Sequence, residues 1–305
     1  IDSLSQDFTV NGANPTPLFD VVTATQLCSN DSVRIVNQSI VDFGNVTRLE
    51  IYWDSADVKK VTVDENPYPG KQYAFKYTSF QLPANKKYVI RLKAFSGSAA
   101  SCSKSLLKDV NLLASPKVFF DALPGICLDA SPRQITQTGF DANVKGVFTY
   151  AGDGVTTSGV FDPSITGVDT VDIKYLYVAE SGCRDSAFQQ QIVWPRPLAD
   201  FTYSSITCEK NDIQFNSTSK PLVGSLVKWE WNFDDNKGIV TKLDEKSFAH
   251  RFDTSIVYNV GLKVQTINGC NSLTKVLPVK VHPLPVVQFA LPIVCLPEGK
   301  ALFAN

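Results

Sequence analysis

Seven cysteines, two histidines and one acidic cluster are the residues with the most chemistry to offer. The cysteines are Cys28, Cys102, Cys127, Cys183, Cys208, Cys270 and Cys295. No two of them form C-x-x-C, and His250 and His282 stand far apart in the chain, so the ligand spacing of a zinc site is missing. Single cysteines at long intervals suit disulfides formed in an oxidising compartment. Asp234, Asp235 and Asn236 gather three oxygen acceptors, whereas calcium takes about 6–8. A turn held by local Asp and Asn hydrogen bonds is the favoured reading there, and also at Asp153 between Gly152 and Gly154. His250 as a catalytic base has no nucleophile motif beside it, and G-x-S-x-G is absent. No pair of carboxylates is singled out for glycoside hydrolysis. The expectation is a chain with no catalytic residue, no cofactor and no metal. Four tripeptides fit the N-glycosylation pattern, at Asn30, Asn37, Asn45 and Asn216. Such matches are common by chance.

The elements that position these residues emerge from a repeat. A chain of 305 residues exceeds what one compact core usually serves. Three stretches open with proline and an apolar strand and then reach a cysteine: Pro17-Leu18-Phe19 to Cys28, Pro116 with Phe119-Phe120 to Cys127, and Pro197 with Phe201 to Cys208. A fourth opening appears at Pro285, Phe289 and Cys295. The cysteine steps are 99, 81 and 87 residues (127−28, 208−127, 295−208), the size of a small β-sandwich. Later in each unit, polar and apolar residues alternate: Tyr88, Ile90, Leu92 and Ala94; Val171, Ile173, Tyr175 and Tyr177; Tyr258, Val260, Leu262 and Val264. Period two with one polar face predicts half-buried antiparallel strands. Each strand leads to the unit's second cysteine, at Cys102, Gly182-Cys183 and Gly269-Cys270. No helical period is sustained anywhere.

The boundaries that follow are 17–115, 116–196 and 197–283 for three complete modules. Residues 1–16 resemble the segment after Cys183, so they read as the last strand of a preceding module. Residues 284–305 read as the start of a further one. With no methionine in the chain, a longer product is expected, cut inside a module at both ends.

Trp53 and Trp231 follow their module's first cysteine by 25 and 23 residues (53−28, 231−208). Each offers either a sugar-stacking platform or a core tryptophan on the central strand. Alternation of Ile51 with Trp53, and of Trp229, Trp231 and Phe233, favours the core. The middle module is expected to bury Phe148 or Val147 at the corresponding place.

At Trp229-Glu230-Trp231-Asn232-Phe233-Asp234-Asp235-Asn236 the third module resembles a PKD domain. That family carries W-x-F-G-D-G on its third strand, then H-x-Y, then Y-x-V-x-L-x-V. His250-Arg251-Phe252 and Tyr258 to Val264 fill the later places, while Asp234 and Asn236 replace the glycines. The first module, with Trp53-Asp54 and Tyr88 to Leu92, is a more distant relative. The second, with Gly152-Asp153-Gly154 and Phe161-Asp162-Pro163, is similar to an immunoglobulin-like companion repeat. The resemblance implies an all-β fold of tandem immunoglobulin-like (PKD-like) sandwich modules, with His250 structural. The cysteine pattern also resembles surface proteins of Bacteroidota, which implies type IX secretion and links to adhesion or gliding.

The function expected is a non-catalytic structural or adhesive stalk of a large secreted, cell-surface protein. Proline at the linkers, as in Pro195-Arg196-Pro197 and Pro283-Leu284-Pro285, stiffens the joints. The alternatives are an accessory polysaccharide-binding region of a secreted enzyme, or a protein-binding subunit of secretion or motility machinery. Expected partners are the neighbouring modules of the same chain, with surface glycans or outer-membrane proteins as further candidates. A net charge of −1 gives no footprint for nucleic acid, and no apolar run reaches the roughly 18 residues of a membrane-spanning helix.

Pairing within modules would give Cys28–Cys102, Cys127–Cys183 and Cys208–Cys270. In an immunoglobulin-type sandwich, however, the second and sixth strands run the same way. The first cysteine precedes one and the second follows the other, so the two belong at opposite ends, roughly 20 Å or more apart. A disulfide needs Cα atoms within about 7 Å. Staples between modules, Cys28–Cys183 and Cys127–Cys270, are therefore favoured, and pairing within modules stays the alternative. Cys208 would await a fourth module, Cys102 a preceding one and Cys295 a fifth.

Overall fold

The computed structural model describes residues 13–22, 26–97, 102–141 and 145–288. Most of the stretch expected to close a preceding module, and residues 289–305 with Cys295, lie outside them. Strands dominate, in three successive groups. In the first group β1 (Phe19–Val22), β2 (Ser32–Asn37) and β5 (Gln72–Lys76) form one sheet in the order β1-β2-β5. The facing sheet has the order β4-β3-β6-β7, with β3 at Val46–Tyr52, β4 at Val61–Asp64, β6 at Asn85–Ser96 and β7 at Cys102–Leu113.

The third group repeats this plan. One sheet is β16-β17-β20 (Phe201–Tyr203, Asp212–Ser217, Phe248–Arg251). The other is β19-β18-β21-β22 (Ile239–Lys242, Leu226–Asn232, Val257–Thr266, Lys275–Lys280). Even the irregularities recur: the ladder of β3 with β6 slips between Val46 and Arg48, and that of β18 with β21 between Leu226 and Lys228. A bulge kept at one place in two copies is a built feature that bends the strand there.

Alternation explains the burial. In β6, Tyr88, Ile90, Leu92 and Ala94 are buried, and in β21 so are Tyr258, Val260, Leu262 and Val264. Side chains two apart share a face of a strand, so each row turns to the opposing sheet. Burying one such Ile or Leu contributes about 1.5–3 kcal/mol. Trp53 and Trp231 sit at the centres of the two cores, Trp53 over Phe75 and Trp231 among Phe201, Phe215, Phe233 and Phe248.

The middle group departs from the plan. Its larger sheet is β12-β14-β15-β9 (Gly146–Ala151, Thr170–Ala179, Arg184–Trp194, Ile126–Cys127). Two short pairs accompany it: β8 (Lys117–Phe120) with β11 (Thr138–Asp141), and β10 (Arg133–Gln134) with β13 (Val160–Phe161). A single helical turn, α1 (Pro163–Thr166), is capped by Asp162, which accepts from the Ser164 N–H. Phe148 and Val147 are exposed, against the expectation that one of them fills the core. They lie on β12, the outermost strand of its sheet, and Tyr150 takes the buried position beside Tyr175.

By compactness the chain divides into two units. One holds residues 1–123, 133–161 and 171–190, and the other holds 124–132, 162–170 and 191–305. The middle group is thus shared between the two units.

Candidate functional site

The most distinctive side-chain chemistry in the chain is its cystines. Cys28 is bonded to Cys183, 155 residues on, with Cα atoms 5.5 Å apart. Cys127 is bonded to Cys270, 143 residues on, with Cα atoms 5.4 Å apart. Pairing within a module does not occur, and strand register gives the reason. Cys28 stands in parallel register with Leu113, which lies opposite Asn85 at the start of β6. Cys102 lies opposite Ser96 at the other end of β6. Eleven residue steps (96−85) at about 3.3 Å each separate the two ends by about 35 Å. Cys208 beside His282, and Cys270 beyond the end of β21, are related in the same way.

The turns that carry Cys183 and Cys270 are built alike. The Gly182 N–H donates to the Ala179 carbonyl, and Ala179 N–H donates to the Cys183 carbonyl. Gly269 to Thr266, and Thr266 to Cys270, repeat both bonds. Gly182 and Gly269 have φ of +83° and +85°, where a Cβ is strained, so glycine before the cysteine is a requirement of the turn.

Around the first cystine the protein adds polar contacts. Asn30 Nδ2 donates to the Arg184 carbonyl at 2.8 Å. Ser29 Oγ, fully buried, accepts from the Ser115 N–H at 3.1 Å, and Ser115 Oγ donates to Asn30 Oδ1 at 2.7 Å. At the second cystine the Trp194 ring lies so close to Gly125 that a Cβ there would stand 2.3 Å from it. Only glycine fits beside that ring, two residues before Cys127.

The acidic cluster is a loop fastened to its own module. Asp234 and Asn236 have φ of +57° and +58°, in the left-handed region where Asp and Asn are tolerated. Asn232 Oδ1 accepts from Asp234 N–H at 3.0 Å, and Asp234 Oδ2 accepts from Asn259 N–H at 3.2 Å. Asp235 Oδ2 lies 2.9 Å from His250 Nε2, and its Oδ1 accepts from the Lys237 N–H. The His250 ring stacks on Phe233, with centroids 3.7 Å apart and planes 5° from parallel. Each carboxylate is thus engaged by a different part of the module, and no set of three ligating groups converges among the described residues. Lys237 also pairs with Asp253 at 2.7 Å, which holds the Asp253 carboxyl below its ordinary range and raises the Lys237 ammonium.

Trp53, Trp231 and Phe233 are all buried, so none offers an open stacking face. Trp53 Nε1 donates to Thr62 Oγ1 at 2.9 Å, and the Trp53 carbonyl accepts from the Tyr77 hydroxyl. Asn37 is also buried, with Nδ2 donating to the Tyr68 carbonyl, so its sequence match marks no glycan site. A cleft of about 540 Å³ opens at one end of the first module, between Asn37, Ser39, Asn45, Glu65 and Tyr68. Its one lining carboxylate, Glu65, lies 3.5 Å from Arg48 Nε. None of the described helices is long and apolar enough to cross a membrane.

Sequence reasoning missed two features here. The close seating of Trp194 on Gly125 has no pattern in the chain. Nor does any pattern announce that, among the described residues, β12 has no paired strand on its outer side.

The PKD domain family matches residues 194–281, the third module. No curated protein matches the chain. Among solved structures the chain is similar to domains A168–A170 of titin, at 10% identity and a TM-score of 0.35, covering 88% of this chain and 100% of that one. It is similar to Drosophila N-cadherin EC1-4, at 12% identity and a TM-score of 0.29, covering 90% and 76%. A Ca²⁺-stabilised adhesin with which an Antarctic bacterium binds ice is similar at 9% identity and a TM-score of 0.37, covering 92% and 77%. The chain is a tandem of immunoglobulin-like β-sandwich modules, of which the third matches the PKD domain.

Proposed function

We propose that this chain is a non-catalytic stalk segment of a large secreted cell-surface protein, one that holds an adhesive or otherwise active part away from the cell. The Bacteroidota-type surface context, with type IX secretion and adhesion or gliding, is the setting we propose for it. One observation carries the reading: the two cystines join different modules and their loops overlap. The loop from 28 to 183 and the loop from 127 to 270 share residues 127–183. A ligand-binding module has no need of such a device, whereas a segment under tension does.

The overlap has a mechanical consequence. With both cystines intact, the shortest covalent path from Cys28 to Cys270 crosses to Cys183, returns to Cys127 and crosses again. That path contains 56 residues of chain (183−127) in place of 242 (270−28). At about 3.5 Å per extended residue, the fully stretched lengths are about 200 Å and about 850 Å.

Single-molecule pulling on the chain, with and without reductant, tests the proposal. The oxidised chain should stop extending between these points after about 200 Å, and the reduced chain should reach about 850 Å. Equal extension in the two states overturns the proposal. So does saturable binding of a defined polysaccharide on a glycan array at micromolar concentration, which assigns the chain to a binding region instead.

A further inference from the structure

We propose that the solvent face of the β4-β3-β6-β7 sheet docks an acidic polypeptide segment with apolar flanks, held through Arg91 and Lys93. Residues that alternate with the core row of this sheet point outward, and strand register sets them side by side. Tyr52 lies opposite Arg91, and Glu50 lies opposite Lys93. On the flanks, Val61 and Val63 of β4 lie opposite Tyr52 and Glu50, and Leu107 of β7 lies opposite Arg91. All three flanking side chains are exposed.

The charges on this face do not balance. Arg48 pairs with Glu50 at 2.8 Å and meets Glu65 at 3.5 Å, and Lys87 pairs with Asp109 at 2.6 Å. The second oxygen of Glu50 accepts from the Tyr52 hydroxyl at 2.8 Å. Arg91 and Lys93 make no ion pair among the described residues. They rest on rings instead. The Arg91 guanidinium lies 4.0 Å from the Tyr52 centroid, and the Lys93 ammonium lies 4.6 Å from that of Phe95. Arg91 Nε is buried with no hydrogen-bond partner. A guanidinium held on a ring and short of acceptors is prepared for a carboxylate.

The third module shows that the fold does not demand this arrangement. At the matching registers Asn232 and Gly261 replace Tyr52 and Arg91, and Lys228 and Gln265 replace Arg48 and Phe95. Glu230 and Lys263 keep the places of Glu50 and Lys93. The same bulge and sheet order thus form without a stacked guanidinium.

Strand geometry selects the occupant. Three strand spacings of about 4.8 Å separate β4 from β7, about 14 Å in all. Same-face side chains of an extended segment recur every ~6.7 Å, so positions i, i+2 and i+4 span about 13 Å. An acid between two apolar residues therefore meets Val61 or Val63, the two cations and Leu107 in one crossing of the sheet. A saccharide finds no free ring to stack on, because Arg91 covers Tyr52 and Lys93 covers Phe95.

Fluorescence anisotropy of a labelled peptide of four Val-Ser-Glu-Ser repeats, titrated with the oxidised chain, tests the inference. Saturable binding is expected. Arg91→Gln, Lys93→Gln, or Gln for every Glu in the peptide should each weaken it about tenfold. Leu107→Ser keeps both cations and should weaken it severalfold, so the test stands even if the Arg91 variant fails to fold. Absence of saturable binding up to about 1 mM overturns the inference, as does equal binding by Arg91→Gln or by the Gln peptide. Preference for polygalacturonate, or for vesicles containing phosphatidylglycerol, also overturns it, because the cations then serve an anionic polysaccharide or a lipid surface. The pulling experiment reads the cystines and leaves this face out, so either proposal can fail without the other.

Discussion

The two outer modules and the middle one solve the same folding problem with different means. In the first and third, the central strand is covered on its far side by another strand: β4 beside β3, and β19 beside β18. Each buries a tryptophan, Trp53 or Trp231, in a core that includes thirteen buried residues. In the middle module β12 is the edge of its sheet: after Gly152-Asp153-Gly154 the chain folds back to make a backbone bond to it, from the Tyr150 N–H to the Thr157 carbonyl at 3.0 Å, and next forms β13 with β10. Its buried aromatics are Phe120, Tyr150, Phe161, Tyr175 and Tyr177, with no tryptophan among them. The middle module compensates covalently: Cys127 near its start and Cys183 near its end are each tied to a neighbour. The lesson is that a module can hand part of its stability to the joints. That suits an array whose joints are closed by disulfides.

Removing the joints should therefore have the largest effect, and it should fall on the middle module. Loops of 155 and 143 residues place each cystine at about 5 kcal/mol in the chain-entropy treatment. Hydrogen exchange with and without reductant checks this. Amides of β12 and β14 should lose protection first, while those of β6 and β21 keep most of theirs. If β6 or β21 opens first, the division of labour is wrong.

Next in size is the tryptophan itself. Trp231→Ala should cost about 3–5 kcal/mol, and Trp53→Ala should be similar, since both leave a cavity between the two sheets. Denaturant melts followed by tryptophan fluorescence report it. A loss under about 1 kcal/mol would mean that the ring is not central to the third module.

Alkali separates the modules by a different property. Burial pushes the Tyr175 phenol up to about 12, and burial likewise raises Tyr73 and Tyr77 above the usual range. A phenol with a raised folded pKa contributes stability that is complete below about pH 10, the unfolded value, and is lost as pH rises toward the folded value. Between about pH 10 and 12 the first and middle modules should thus weaken. The third core is built mainly on Trp231, Phe215, Phe233 and Phe252, which cannot ionise, with Tyr258 as its one fully buried phenol, so it has less to lose. Chemical shifts followed through an alkaline titration check the order. Earlier loss of the third module would break the comparison.

The sequence made the outer modules legible because their signals are local and repeated. Period two in β6 and β21 marks the core face, and Trp231-x-Phe233 at the end of β18 marks the central strand. The cystine pairing was also accessible, since it follows from the direction of two strands and the fixed rise per residue. What stayed hidden depends on which strands pair, and among the described residues none pairs with the outer side of β12. Val147-Phe148-Thr149-Tyr150 has the same alternation as a central strand, and nothing local states that no strand lies beyond it. The Asp235–His250 contact, too, joins a loop to strand β20 and needed the folded register to be seen.

The smallest expected effect tests the uncovered edge of β12 most directly. Phe148 and Tyr150 point to the same face of β12, two residues apart, and lie opposite Tyr177 and Tyr175. Phe148 is 51% exposed, whereas Tyr150 is buried at 4% and its ring meets both Phe120 and Tyr175. Pattern alone treats the two as equals, but solvent exposure does not. At about 25 cal/mol per Å² of apolar area, a half-exposed ring has already forfeited roughly half its burial term. It also leaves no closed cavity when it is removed, because water already reaches it. Phe148→Ala should therefore cost under about 1 kcal/mol, and Tyr150→Ala about 2–4 kcal/mol. Equilibrium denaturation of the two variants, read by exchange at β14, compares them in one module and one background. Equal losses would mean that a strand covers β12 in solution after all, and the middle module would then follow the same plan as its neighbours.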